Sequence, residues 1–357
     1  MKKAIVRILL SINFVTCATS GAFAADPTIN MRLAMGIPSN LPLIHIVTDY
    51  AQNVELMSNG SIRMKIFEPG ELVSPSEIHE AVSKGRIEAG WGSSVFISGK
   101  IPAAALFLAT PFGGTAKELM AWNFYGNGLK LWQEMYDTKG FKVKVIPLLM
   151  GAQETAGWFN KKIESVNDFK GLRMRMPGLG GKILAKLGSS VSMIPLGECF
   201  LALEKGAIDA MELGSPIFDV AIGPYKVTKY NYFPGWHQPT ANMELVVNKD
   251  IWNKMSKAQQ TIMFETAIAS SVRAIIEAEV KGIKVMKDNE AKRNVKNMIL
   301  PPEVLEALQK TWMEVAAEES AKDPFFKKVW DDQKNFLKEY EYWRKHTSLA
   351  MPHRKLE

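Results

Sequence analysis

Strand-like alternation and helix-like periodicity follow one another along most of the chain. Ile29 to Met35 alternates with a period of two, as a strand does, and Leu43 to Met57 reads as an amphipathic helix ended by Asn59-Gly60. Arg63 to Phe67 is a second strand, closed by Glu68-Pro69-Gly70. Ser74-Pro75-Ser76-Glu77 opens a helix with proline in its first turn, and Lys84-Gly85 stops it. Thr115 to Tyr136 carries Trp122, Phe124, Leu131, Trp132 and Met135 at helical spacing, which predicts one longer helix with an aromatic core face. Phe141 to Leu149 is a strand leading to Met150-Gly151-Ala152-Gln153.

The rhythm then shortens. Gly157–Asn160, Leu172–Arg175, Val191–Ile194 and Ile208–Met211 are short strands, separated by helices at 179–187, 198–205 and 215–222. This reads as a second α/β unit inserted in the chain. Asn242 to Asn248 returns an apolar strand, Met243-Glu244-Leu245-Val246-Val247. The proline-free stretch from Ser256 to about Asn297 predicts one helix roughly 60 Å long, enough to lie across both units. A last helix, 302–343, is charged with scattered aromatics, among them Trp312, Phe326, Trp330 and Trp343. Those aromatics suit either a partner surface or packing on the body. Lys355-Leu356-Glu357 has the look of a cloning remnant.

Composition adds little to this picture, whereas the N-terminus changes it. At 357 residues the chain is long enough for two cores, and 47% hydrophobic with 23% charged residues is ordinary for a globular protein. Lys2, Lys3 and Arg7 precede an apolar run from Ile8 to Val15, and Ala22-Phe23-Ala24 follows. That order is a secretory signal (1–24) cut after Ala24, which predicts export to a periplasm. The apolar run is too short for a membrane anchor, and Phe14-Val15-Thr16 fits a lipoprotein cut before Cys17 poorly. Removing three positive charges from +7 leaves about +4, which gives no argument for a nucleic-acid partner. Cys199 remains alone in an apolar run, so it reads as a buried thiol without a disulfide partner.

Enzyme signatures are missing. Ile78-His79-Glu80 lacks the second histidine of a zinc helix, and there is no G-x-S-x-G elbow. Arg175 is more informative. It ends a predicted strand just before Met176-Pro177-Gly178-Leu179-Gly180-Gly181, where a turn leads into a helix. A guanidinium there grips a carboxylate through two parallel hydrogen bonds, and the helix start adds free N–H groups.

Several stretches together carry a resemblance: Gly171–Gly181, Pro195 with Glu198, Ala202-Leu203-Glu204 followed by Gly206, Ile208-Asp209-Ala210 and Glu212, and Pro234-Gly235-Trp236. Ser58-Asn59-Gly60, Pro111-Phe112-Gly113 and Gly157-Trp158-Phe159 extend it over almost the whole mature chain. The sequence resembles the solute-binding proteins of tripartite ATP-independent periplasmic (TRAP) transporters, closest to the branch for 2-oxo and 2-hydroxy monocarboxylates. The resemblance implies an α/β periplasmic-receptor fold with hinge strands and a long spanning helix. The divisions then fall at 27–152 with 239–278, at 153–238 with 279–301, and at a C-terminal helix 302–346.

The resemblance also implies function. A small organic acid binds in a closing interdomain cleft and passes to a membrane permease, without catalysis. Arg175 takes the role of the carboxylate grip, and Gln153, Glu212 and Gln238 fall where the branch holds a metal ion, sodium or calcium, that bridges to the ligand. No other cofactor is implied. Leu213 stands where a tryptophan is expected and Gln238 where a second glutamate is expected, which points to a roomier pocket for a bulkier or more apolar acid. Trp236 is a candidate cleft wall, with packing at the hinge as the alternative, and Asp209 is read as capping local structure. Some members of the branch dimerise through the C-terminal helix. An exported enzyme acting on organic acids, or a sensor subunit for a membrane kinase, remain the alternatives in function.

Overall fold

Residues 26–347 are described by a computed structural model; the expected signal sequence and Lys355-Leu356-Glu357 lie outside the described residues. Its strands, in chain order, are β1 (Ile29–Met35), β2 (Ile62–Phe67), β3 (Ala89–Gly92), β4 (Val143–Met150), β5 (Gly157–Phe159) and β6 (Arg173–Arg175). They continue with β7 (Ser190–Ser192), β8 (Ala210–Met211), β9 (Tyr230–Phe233), β10 (Asn242–Asn248) and β11 (Lys296–Ile299). Two sheets result. One has the order β2-β1-β3-β10-β4, the other β11-β9-β5-β8-β6-β7.

In the first sheet β1, β2 and β3 are parallel, while β10 runs antiparallel between β3 and β4. β10 is buried at every position, and β4 at all but one, because helices cover both faces. That is why their sequences are nearly continuous apolar runs rather than alternating ones. Gly90 in β3 lets the helix Ile78–Ser83 lie against the sheet, since a Cβ there would stand 2.1 Å from a methyl of Ile78.

The chain passes between the sheets three times. Residues 151–156 lead from β4 into β5, residues 234–241 return from β9 to β10, and the helix Lys257–Lys292 connects the first sheet's unit to β11. The first two passages are held together. The Gly151 N–H donates to the Ala241 carbonyl (2.7 Å), the Thr240 hydroxyl donates to the Gly151 carbonyl (2.6 Å), and the Glu154 N–H donates to the Gln238 carbonyl (3.3 Å). Ala278 of the long helix packs with Leu43, Ala152 and Ile217 at this junction.

That helix is capped by Ser256, whose side chain accepts from Gln259 N–H in a reciprocal capping box. It ends earlier than the expected 297. Asn294 adopts a left-handed φ of 53°, and the Val295 N–H reaches back to the Asn289 carbonyl (3.0 Å), so asparagine does the stopping that glycine usually does. The chain then forms β11. Two other predicted helices are each broken in two. Thr115–Tyr136 divides into Ala116–Tyr125 and Gly128–Thr138 at Gly126-Asn127. The C-terminal segment divides into Pro302–Lys322 and Pro324–Thr347, because proline disfavours helical backbone at Asp323, which is extended. Trp312 and Phe326 are core residues and Trp330 is nearly so, whereas Tyr342 and Trp343 are exposed.

A buried polar network interrupts the first core. Glu244 in β10 is fully buried; the Tyr136 hydroxyl donates to its Oε1 (2.6 Å), and His79 Nε2 stands 2.9 Å from the same oxygen. Truncation would strand the imidazole and the phenol without a partner. Glu244→Ala should therefore cost about 2–5 kcal/mol of stability, read as a lower urea midpoint. A loss under about 1 kcal/mol would show that this network carries no such weight.

Candidate functional site

β6 and β8 are parallel neighbours with Arg175 opposite Met211, so the residue after β8, Glu212, meets the Arg175 side chain. The Arg175 Nη1 donates to the Glu212 backbone carbonyl and lies 3.3 Å from Glu212 Oε2, while Nε reaches the Ile194 carbonyl (3.4 Å). This fixes the guanidinium and leaves Nη2 without a protein acceptor among the described residues. Arg175 faces a cleft of about 470 Å³.

Side chains from the two sheets line that cleft differently. The first sheet's side contributes Ile37, Val95, Phe96, Leu108 and Met243, with Ser93 as a polar exception. The second contributes Arg175, Glu212, Leu213 and Phe218, and the two passages add Glu154 and Gln238. A smaller cavity of about 110 Å³ adjoins it and shares Ile37, Glu154, Leu213, Phe218, Ala241 and Met243. Leu213 and Phe218 thus border both spaces, and a larger side chain at position 213 would fill the junction.

Beneath the cleft lies a cluster of three buried ionisable side chains: Glu154, Glu212 and His237. Nε2 of His237 is 3.5 Å from Glu154 Oε2 and 3.5 Å from Glu212 Oε1. Those separations pair the charges without making close hydrogen bonds, and among the described residues Glu154 Oε2 and both His237 ring nitrogens lack a hydrogen-bond partner. Gly235 makes the convergence possible, because a Cβ there would stand 2.2 Å from the Glu154 carbonyl oxygen.

Burial, with the Glu212 carboxylate adding to it, pushes the Glu154 carboxyl up to about 8. Burial works against the His237 imidazolium, but the two carboxylates outweigh it and raise the imidazole to about 9. Glu212 is held below the ordinary glutamate value: burial opposes its ionisation, and His237 with Arg175 overcomes it. Asp219, fully buried, is raised well above its usual range by burial, even though Trp158 Nε1 (2.6 Å) and the Thr155 hydroxyl (3.0 Å) donate to its Oδ2.

The expected site residues separate into two groups. Arg175, Glu212, Leu213 and Gln238 all line the cleft. Gln153 does not: its side chain is exposed, and its neighbour Glu154 points inwards instead. In extended backbone, successive side chains point to opposite sides, so an assignment one residue off lands on the wrong face. In the other passage Gln238 lines the cleft, and its neighbour His237 is the residue that meets Glu212. Trp236 is not a cleft wall. It is buried against Phe112, ring centroids 5.8 Å apart. Asp209 pairs with Arg173 (Oδ1 to Nη2 2.6 Å) and stands outside the site. The inward Glu154 and His237 had one signal in the sequence, a charged residue beside each chosen glutamine.

Comparison with known proteins places this geometry. Over 332 residues the chain is 33% identical to a monocarboxylate 2-oxoacid-binding periplasmic protein of a Nostoc species, covering 93% of this chain and 90% of that one. A TRAP periplasmic solute-binding protein from Pseudoalteromonas atlantica, solved with bound sodium and pyruvate, superposes with a TM-score of 0.84 at 30% identity, covering 90% of this chain and 97% of that one. A TRAP transporter solute-binding protein from Bordetella bronchiseptica, a mixed-occupancy dimer with copurified calcium and picolinate, gives 0.83 at 29% identity, covering 90% and 95%. Residues 33–323 match the family of bacterial extracellular solute-binding proteins, family 7, whose members here are receptors. The match spans most of the chain and both of its sheets, and the chain belongs to this family.

Proposed function

We propose that the protein is an extracytoplasmic receptor that binds a small organic acid in the cleft and delivers it to a TRAP membrane permease. The signal sequence, cut after Ala24, would place it in the periplasm. The observation that carries this reading is the fixed Arg175 guanidinium, its Nη2 without an acceptor among the described residues, at the wall of an otherwise mostly apolar cleft. A carboxylate there gains charge-assisted hydrogen bonds, and the remainder of the ligand meets aliphatic and aromatic side chains.

The ligand class follows from the walls. A 2-oxo or 2-hydroxy monocarboxylate is the head group, in keeping with the ligands of the relatives. Leu213, Phe218, Met243 and the adjoining cavity favour an acid with a larger apolar substituent. A cation beside the ligand belongs to the same reading, since relatives carry sodium or calcium with their acids. Glu154, Glu212 and His237 are the residues that would hold it, because unpartnered buried oxygen and nitrogen atoms converge there. A cation, when bound, supplies positive charge to a buried carboxylate. Exposed Tyr342 and Trp343 on the last helical turns are the surface through which two copies would associate.

Four measurements test the proposal. Thermal-shift screening should find stabilisation by 2-oxo or 2-hydroxy acids, about 2.7 kcal/mol at a hundred-fold excess over Kd. Arg175→Ala should then remove about 1.5–3 kcal/mol of binding per lost hydrogen bond while the fold persists. Full affinity in that variant would reject the assigned grip, and hits confined to sugars or amines would reject the ligand class. Leu213→Trp should cost apolar-substituted acids about 1–3 kcal/mol of affinity and leave pyruvate nearly unaffected, by calorimetry. Equal losses for both would show that position 213 does not set size. Light scattering should give twice the chain mass, falling to a monomer in a Tyr342→Ala/Trp343→Ala variant; a wild-type monomer discards the dimer.

A further inference from the structure

Left-handed backbone is rare outside glycine, and among the described residues asparagine, which tolerates it, takes two such positions, Asn59 and Asn294, just past helices. Leu43 (φ 71°) and Leu149 (φ 75°) are different, because a bulky side chain makes this backbone costly. Both leucines border one space, the cavity of about 110 Å³ that adjoins the cleft. Strained residues persist only where their surroundings enforce them, and they gather at ligand sites.

The enforcement is visible at Leu149. Glu244 of β10 stands opposite Pro147 and Asn242 opposite Met150, so β4 takes three steps where β10 takes two. The extra residue is a bulge, a device that re-aims a side chain. Trp91 Nε1 donates to the Leu148 carbonyl (3.0 Å), and the Leu149 N–H donates to the Ser271 hydroxyl of the long helix (3.2 Å). Trp91 is itself a wall of the cavity, and both it and Ser271 are buried. Leu43 stands just before the helix His45–Met57 and packs with Ala152 and Ala278.

Size and polarity then select what the cavity takes. Glu154 and Ser215 are the polar side chains among its described lining apart from the indole of Trp91, whose N–H is already bonded. An apolar cavity of about 150 Å³ accommodates a benzene ring. One of about 110 Å³ is too small for that ring, but it suits a branched saturated chain.

From these features we infer that Leu43 and Leu149 are specificity-determining residues, which close the cavity at a depth that seats a branched aliphatic tail and turns away an aromatic ring. Ser271 is a positioning residue that acts through Leu149. The inference rests on the receptor reading, in which Arg175 holds the head of the acid and the tail passes Leu213.

The test is calorimetry on the mature protein with pyruvate, 2-oxopentanoate, 4-methyl-2-oxopentanoate and 3-phenyl-2-oxopropanoate. The 4-methyl acid should bind at least about ten-fold tighter than pyruvate, since each buried methylene is worth about four-fold, and the phenyl acid should bind no tighter than pyruvate. Leu43→Ala and Leu149→Ala should each deepen the cavity, improving the phenyl acid at least about ten-fold and weakening the 4-methyl acid, with pyruvate within about two-fold. Ser271→Ala should lower the ratio of 4-methyl acid to pyruvate affinity at least about three-fold, and Ser271→Thr, which keeps the hydroxyl, should restore it. If one alanine variant fails to fold, the wild-type series and the remaining variants decide. Pyruvate binding with no gain from the longer tails, or a phenyl acid as tight as the 4-methyl acid in the wild type, would overturn the inference and leave the receptor reading intact. So would substitutions that weaken all four acids equally. Failure of every acid to bind would instead reject the receptor reading, and the inference with it.

Discussion

Burying opposite charges within a few ångströms of one another, where two sheets are stitched together, is the constraint on which this structure turns. Glu154 and His237 sit on separate passages of the chain, and Glu212 follows a strand of the second sheet. None of the three would be tolerated alone in so dry a place. They are brought together because the passages are hydrogen-bonded side by side at Gly151–Ala241 and because Gly235 has no side chain to hold them apart. The cluster therefore reports the closeness of the passages, and the passages fix the orientation of both cleft walls.

Much of the scaffold was readable from pattern alone. Period-two and helical stretches located β1, β2, β4, β10 and the long helix, and the shortening of the rhythm near residue 153 marked where the second sheet begins. What escaped had little local signal. β3 is Ala-Gly-Trp-Gly, chosen for close helix packing rather than strand propensity, and β11 follows a helix stop made by asparagine. Pro324 did carry a clear signal, a helix break, which the charged aromatic run around it obscured.

The site was legible as a type of chemistry and less so as a set of residues. Arg175 follows from strand, turn and helix start, all local features. Glu154 and His237 do not, because which of two adjacent side chains turns inwards is decided by how the passages pair. Pairing is a long-range property, so the resemblance to a family chose Gln153 where Glu154 turns inwards, while Gln238 lines the cleft with His237 beside it. Trp236 shows the same limit from the other side. Its place beside the site is real, but the ring is spent on Phe112.

The unequal lining of the cleft has a consequence for how such a protein can change. Among the described residues, every charged group that lines the cleft comes from the second sheet or the passages, while the first sheet offers mainly aliphatic and aromatic surface. On the proposed reading the head group is held by the second sheet and the passages, whereas the tail also meets the first sheet's wall. Substitutions at Ile37, Val95, Phe96 or Leu108 can reshape what kind of tail is admitted without disturbing the buried charges that anchor the head. Diversification of cargo, whether by descent or by a mutant library, then has a route in which the costly electrostatic part is inherited unchanged.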